Sequence, residues 1–187
     1  KDYPTAMKAP WEFAHRGRLT QQQQQEQPIQ SRSMFCNEET SHFFANELEN
    51  PYTEAKPFDW IRGYQVGGRS LLWTRQCYRW SDLDFAANAK DGVGIDWPLR
   101  YQELAPWYDY VEAFVGISGR ADHLPQLPDG QFLPPMEMTC LEQHVKQRLE
   151  ARFPDRTMII GRTANLTQPH HGRGQCLYRG RCDRGCP

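Results

Sequence analysis

The chain has 187 residues, a formal net charge of −1 and an apolar fraction of 39%, with a mean hydropathy of −0.80. That length predicts one domain of ordinary size, and the near-neutral charge supplies no global field to attract nucleic acid or an anionic membrane. No apolar run approaches the roughly twenty residues that cross a bilayer, so no transmembrane segment is expected, and nothing near Lys1 has the apolar core of a secretory leader. Neither absence indicates a compartment, periplasmic or cytoplasmic.

Taken in order, Lys1 to Gly17 carries a short apolar pattern, Ala9, Trp11, Phe13 and Ala14, with Pro10 placed for the first turn of a helix, where its missing N–H costs little. Residues 19–30 are low in complexity, with consecutive glutamines at Gln21 to Gln25, and read as a solvated polar loop. Ser31 to Glu54 mixes polar residues with Met34, Phe35, Phe43, Phe44 and Leu48, as irregular chain packed on something larger does. Residues 62–80 then read RGYQVGGRSLLWTRQCYRW. The adjacent Gly67 and Gly68 predict a turn with positive φ, against which another body can lie. Trp73, Arg75, Tyr78, Arg79 and Trp80 follow as an aromatic and cationic wall suited to a flat anionic ligand; a tight turn leading into a buried strand is the competing reading.

Ser81 to Asp96 predicts a short helix ended by the turn glycines Gly92 and Gly94. A clearer helix is predicted from about Ala105 to Val115, with Pro106 in its first turn and Trp107, Tyr108, Val111, Phe114 and Val115 on a core-facing side. The prolines and Asp129-Gly130 between Ile117 and Pro135 predict a long loop. Beyond it Thr139 caps a helix with Glu142 completing a capping box, and Leu141, Val145 and Leu149 recur at i, i+4 and i+8. Thr157 to Ile160, closed by Gly161, is a β candidate. So few regular elements do not complete a doubly wound sheet. The chain also opens without a methionine and stops inside a cysteine motif, and it is expected to be an internal piece of a longer protein.

That motif holds Cys176, Cys182 and Cys186 in the spacing C-x5-C-x3-C-P. Three chemistries compete: iron–sulfur ligation, for which three thiolates suit a 3Fe-4S cluster; zinc, with His170 or His171 completing a tetrahedron; and unbound thiols or a disulfide. Arg173, Arg179, Arg181 and Arg184 nearby would lower thiolate pKa values and offset a cluster's negative charge. The isolated Cys36, Cys77 and Cys140 read as buried small residues. RNA binding is disfavoured, because apart from Tyr178 this basic tail has no aromatic platform for stacking bases.

The stretch GYQVGGRSLLWT resembles the flavin-binding signature of the glucose-methanol-choline (GMC) oxidoreductases, in the form VGGxSxxWT found in their sugar-oxidising branch; Val66, Gly67, Gly68, Ser70, Trp73 and Thr74 match it. Trp97 to Gly119 resembles the segment that follows in that family, and CLYRGRCDRGCP resembles the cysteine loop of its electron-transferring dehydrogenases. The resemblance implies an α/β (α+β) chain, an incomplete FAD-binding Rossmann-like fold with long irregular loops. On that division residues 1–119 belong to the FAD-binding domain, with 62–80 facing the flavin, and 120–187 form a loop, a helix and the cysteine loop. It implies FAD contacts at Gly63, Val66, Gly67, Gly68, Arg69, Ser70, Leu72, Trp73 and Thr74, with Thr74 nearest the reactive ring. Some members attach the flavin through a histidine where this chain has Leu72, so non-covalent FAD is expected; Tyr64 and Arg69 also depart from the commonest signature. The family's GxGxxG unit and its C-terminal catalytic histidine have no counterpart here, so no catalytic residue is assigned. The implied activity is oxidation of a sugar, polyol or glucoside hydroxyl by hydride transfer to the flavin, with onward electron transfer through the cysteine loop to a cytochrome or quinone-linked subunit. A non-catalytic zinc-binding or interaction module is the alternative.

Overall fold

The computed structural model describes residues 4–5, 8–178 and 182. They form two compact units, Lys1–Thr74 with Tyr178–Pro187, and Arg75–Leu177, so the chain passes from one to the other inside the stretch 62–80.

In the first unit Pro10 opens a 3-10 turn, Pro10–Glu12. The glutamine tract is not a loop but a helix, α1, Gln21–Glu26. The Thr20 hydroxyl accepts from the Gln23 N–H at 3.1 Å, and the Gln23 side-chain oxygen accepts from the Thr20 N–H at 2.9 Å. These two bonds satisfy end groups that a single turn and a half could not satisfy alone. The glutamines beyond α1 turn inward. Gln27 donates to the Ser41 and Phe44 carbonyls at 2.9 and 3.1 Å, and the fully buried Gln30 accepts from the Arg62 N–H at 2.7 Å. Amide side chains here pair buried backbone groups as a strand ladder does elsewhere. The apolar centre is small: Cys36, Phe43, Phe44 and Leu72, with Leu19, Phe35, Ile61 and Leu71 partly buried against it. Cutting Leu72 back to alanine would cost about 2–5 kcal/mol, the usual range for emptying a buried leucine site.

The second unit contains α2, Asp82–Phe85, α3, Ala87–Asp91, α4, Tyr101–Val115, and α5, Cys140–Arg152. The first two bear out the short helix expected after Ser81, and Gly92 and Gly94 take the positive φ that ends it. α4 starts at Tyr101, four residues before Ala105, because Asp82 accepts from the Tyr101 N–H at 2.8 Å and Glu103 from the Arg100 N–H at 2.9 Å. Pro106 therefore lies inside the helix, where it offers no N–H to the carbonyl four residues back. At the other end His170 Nε2 contacts the Ala113 carbonyl at 2.5 Å and Arg173 donates to that of Phe114 at 2.7 Å. These contacts fill orphan acceptors at the negative end of the dipole.

α5 has the predicted cap, with Thr139 Oγ1 accepting from the Glu142 N–H at 3.3 Å and Glu142 accepting from the Thr139 N–H at 2.7 Å. Pairing between extended segments is confined, among the described residues, to isolated bridges. Gln76, Thr163, Ser118 and Leu133 lie side by side in that order, joined by two antiparallel bridges and one parallel. The β pairing thus falls just after Gly161 and not at Thr157 to Ile160. The loop 117–135 is irregular, as expected, but Ser118 within it is fully buried at the centre of this small array.

Candidate functional site

The stretch 62–80 is fixed at both ends by arginines. In the first unit Arg62 pairs with Glu47 at 2.8 Å and lies over the Trp60 and Tyr52 rings at 4.8 and 5.3 Å. Its carbonyl accepts from Ala45 at 3.1 Å, Tyr64 donates to the Phe43 carbonyl at 2.8 Å, and Gly63 forms an antiparallel bridge with Phe44 between them. The chain then turns through Gly67 and Gly68, at φ 94° and 59°, as predicted, into a 3-10 helix, Gly68–Leu72. Both values lie where a Cβ is disfavoured, and a side chain built on Gly68 would meet nothing within 4 Å. The Cβ side of Gly68 is therefore open to whatever approaches it, while its N–H and carbonyl are both held by Gln65, at 3.1 and 2.9 Å.

The expected contact residues divide into two groups. Arg69 donates to the Ile61 carbonyl at 2.8 Å, Ser70 donates through its hydroxyl to the Gly67 carbonyl, and Leu72 is buried in the apolar centre. These anchor the turn. Val66 is 99% exposed, Tyr64 73% and Trp73 40%, and Gly67, Gly68 and Thr74 are exposed too. These present a surface.

Arg79, at the far end in the second unit, is not part of a wall for an anionic ligand. It is buried, donating through Nε and Nη2 to Glu112 at 2.9 and 2.5 Å, through Nη2 to Asp109 at 2.5 Å and through Nη1 to Tyr101 at 3.0 Å. Burial by itself pulls this guanidinium's pKa down, but the hydrogen bonds to Glu112, Asp109 and Tyr101 outweigh it and hold the group above its ordinary value. No sequence signal separated Arg79 from its neighbours, because its carboxylate partners lie thirty and thirty-three residues away.

The aromatic side of α4 is not core either. Trp107 and Phe114 are 67% and 66% exposed, Tyr110 stacks on Phe114 in solvent, and Glu112 is the buried member of the helix. On α5, Leu141 and Val145 are exposed as well, and Leu149 is half-buried.

Of the cysteine motif, Cys176 is half-buried in the second unit, its N–H donating to the Leu166 carbonyl at 2.8 Å and its sulfur accepting from Asn165 Nδ2 at 3.6 Å. Cys182 falls in the first unit and Cys186 lies outside the described residues. Among the described residues no group of three His, Cys, Asp or Glu side chains is assembled for a metal ion. Cys36 is buried, and burial pushes its thiol up to about 11. Cys77 is half-buried and Cys140, at the start of α5, is exposed, so the expectation of burial holds for Cys36 alone. No helix among the described residues is long and apolar enough to cross a membrane.

The glycine turn, with the open Cβ side of Gly68 and its presented aromatic residues, suits a planar ligand lying against the backbone. Comparison with known proteins points to redox enzymes. Over 131 residues the chain is 31% identical to a 2-methyl-1,2-propanediol dehydrogenase from Mycolicibacterium austroafricanum, covering 65% of this chain and 22% of that protein. Over 132 residues it is 26% identical to the fructose dehydrogenase large subunit from Gluconobacter japonicus, covering 65% and 23%. The chain thus spans less than a quarter of the length of these curated relatives. No protein-family model matches it.

Proposed function

We propose that this chain supplies the flavin-facing segment of an FAD-dependent GMC-type dehydrogenase that oxidises a CH–OH group of a sugar, polyol or related alcohol, within the incomplete Rossmann-like fold that the resemblance implies. The observation that carries it is the exposed Gly67–Gly68 turn, left-handed at both residues and flanked by Trp73 and Thr74, at the position of the family's flavin signature. Two relatives named as dehydrogenases agree with the class of reaction.

The residues fit the group, since Gly68 has open space where a side chain would stand and the exposed main chain leaves room for a flat ring. Gly67 and Gly68 would lie against it, Trp73 would border it, and Thr74 would offer its hydroxyl. Gly63, Arg69, Ser70 and Leu72 support the turn from behind. When bound, FAD supplies the hydride-accepting chemistry; this chain's residues position it and exclude competing arrangements. Leucine at position 72 provides no nucleophile, so attachment there is non-covalent. A three-thiolate iron–sulfur cluster at Cys176, Cys182 and Cys186 is part of the same proposal, as the route for electrons to a separate acceptor subunit.

The test uses the full-length gene product. Purified protein should carry flavin that acid precipitation releases, and Gly68→Val should lower flavin occupancy while Gly174→Ala, at a glycine with nothing within 4 Å, should not. Full-length protein that binds no FAD on reconstitution would defeat the proposal. Flavin without iron or acid-labile sulfide would remove the cluster alone.

A further inference from the structure

The first unit contains a cleft of about 640 Å³ that owes nothing to the glycine turn, within the size range of small-molecule sites. Arg18 and Arg32 line it together with Ser33 and Asn37, over an apolar floor that includes Leu19 and Cys36, and no carboxylate is among its lining residues. Arg18 is exposed, and among the described residues its guanidinium enters no ion pair. Arg32 uses Nη1 on Asp59, which leaves Nε and Nη2 for another acceptor. The Ser33 oxygen accepts from the Phe35 N–H at 3.3 Å, so its own proton can be donated onward. Asn37 spends its oxygen on the Glu39 N–H at 2.9 Å, leaving its amide N–H groups. Gln24, whose Nε2 donates to the Leu19 carbonyl at 3.4 Å, keeps an acceptor on the rim, but the charged groups lining the cleft are both guanidinium forks, whose geometry matches the two oxygens of a carboxylate or phosphate.

We infer that this cleft binds a small organic oxyanion, a carboxylate or a phosphate ester, between Arg18 and Arg32. An anion there pairs with the Arg18 guanidinium and with the Arg32 edge that Asp59 leaves unused, and the apolar lining residues take the ligand's carbon skeleton. The site is independent of the flavin segment, and its test keeps the two apart.

Full-length protein is titrated calorimetrically with inorganic phosphate and, separately, with succinate at constant chloride. Saturable binding of either supports the inference, and the anion that binds more tightly identifies the ligand class. Arg18→Gln should weaken that binding roughly tenfold or more, as loss of a hydrogen bond to a charged group does, without altering the thermal midpoint, because among the described residues the exposed Arg18 guanidinium enters no ion pair. Asp59→Asn releases the whole Arg32 fork and should tighten binding, a result that a merely structural role for Asp59 would not produce. Flavin content is measured alongside. Flavin lost in Arg18→Gln would mean that the arginine serves the flavin's own diphosphate and would overturn a separate site. So would the absence of saturable binding by both anions, or an affinity unchanged by Arg18→Gln.

Discussion

Gly130→Ala provides a sharp test of how the second unit is held together. Gly130 lies against the Arg79–Glu112 pair so closely that a Cβ built on it would stand 2.1 Å from Glu112 Oε2, 2.4 Å from Arg79 Nη2 and 2.8 Å from Arg79 Cζ. None of these atoms belongs to the free end of a mobile side chain. The Glu112 carboxylate is 8% exposed and gripped by two donors, and the Arg79 guanidinium is 2% exposed and shared among three partners. A methyl group there must push the ions apart or displace the 128–130 loop. Overpacking alone costs about 1–3 kcal/mol, and losing one partner of a buried pair costs about 3–5 kcal/mol. Because the pair would be loosened and not deleted, the expected loss is about 2–4 kcal/mol, between those limits. Urea unfolding of the full-length protein measures it, with Gly174→Ala as the control for replacing a glycine in open space. A Gly130→Ala midpoint equal to that control would refute the packing described for Arg79.

Three further outcomes are expected. Thr139→Ala removes the oxygen that accepts from the Glu142 N–H and should cost about 1 kcal/mol in the same unfolding experiment. Asp129 feels burial, which raises its pKa, but the Asp122 and His123 N–H groups, the His123 ring and Arg162 outweigh it and hold the carboxyl below its ordinary value of 3.8. Its contribution to stability is therefore fully present above that value and is lost as pH falls through the depressed one. Asp129→Asn should flatten that acid limb of a pH–stability curve and lower stability at neutral pH, since it weakens the pairing of the fully buried Arg162. Iodoacetamide at neutral pH should label Cys140 well before Cys36, with mass spectrometry of peptides as the readout, because Cys140 is exposed whereas Cys36 is buried and its thiol is held protonated.

What could be read from the sequence was what depends on neighbours a few residues apart. Thr139 and Glu142 specify the start of α5 through bonds across three residues, and the Gly67–Gly68 turn follows from the missing Cβ. Where the structure departs from that expectation, the deciding partner is often distant. The glutamine tract is a helix because Thr20 caps it locally, but Gln27 and Gln30 beyond it are core residues only because Ser41, Phe44 and Arg62 come to meet them. Arg79 sits in sequence among the residues of an expected ligand wall, but it is bound to Glu112 and Asp109. On α4 the apolar periodicity predicts burial, but Trp107, Val111 and Phe114 face solvent. Periodicity shows that residues share a face of a helix, not that anything covers that face.

The same distinction between anchored and presented residues explains why Leu72 and Thr74 play different parts, though only Trp73 separates them. Position 72 ends the 3-10 helix, and its side chain points into the cluster of Cys36, Phe43 and Phe44. On the proposed function leucine offers no atom for a covalent link to flavin, and its side chain is buried in that cluster. Position 74 follows the helix after an extended Trp73, at φ −67° and ψ 125°, and is exposed. The turn thus divides along the chain, with Arg69, Ser70 and Leu72 fixing the backbone, while Val66, the two glycines, Trp73 and Thr74 are exposed. Ser70 joins the two sets, since its hydroxyl donates to the Gly67 carbonyl and its own carbonyl accepts from the Trp73 N–H at 3.4 Å, so Leu72→Ala should register mainly as lost stability, whereas Ser70→Ala should lower stability and ligand binding together.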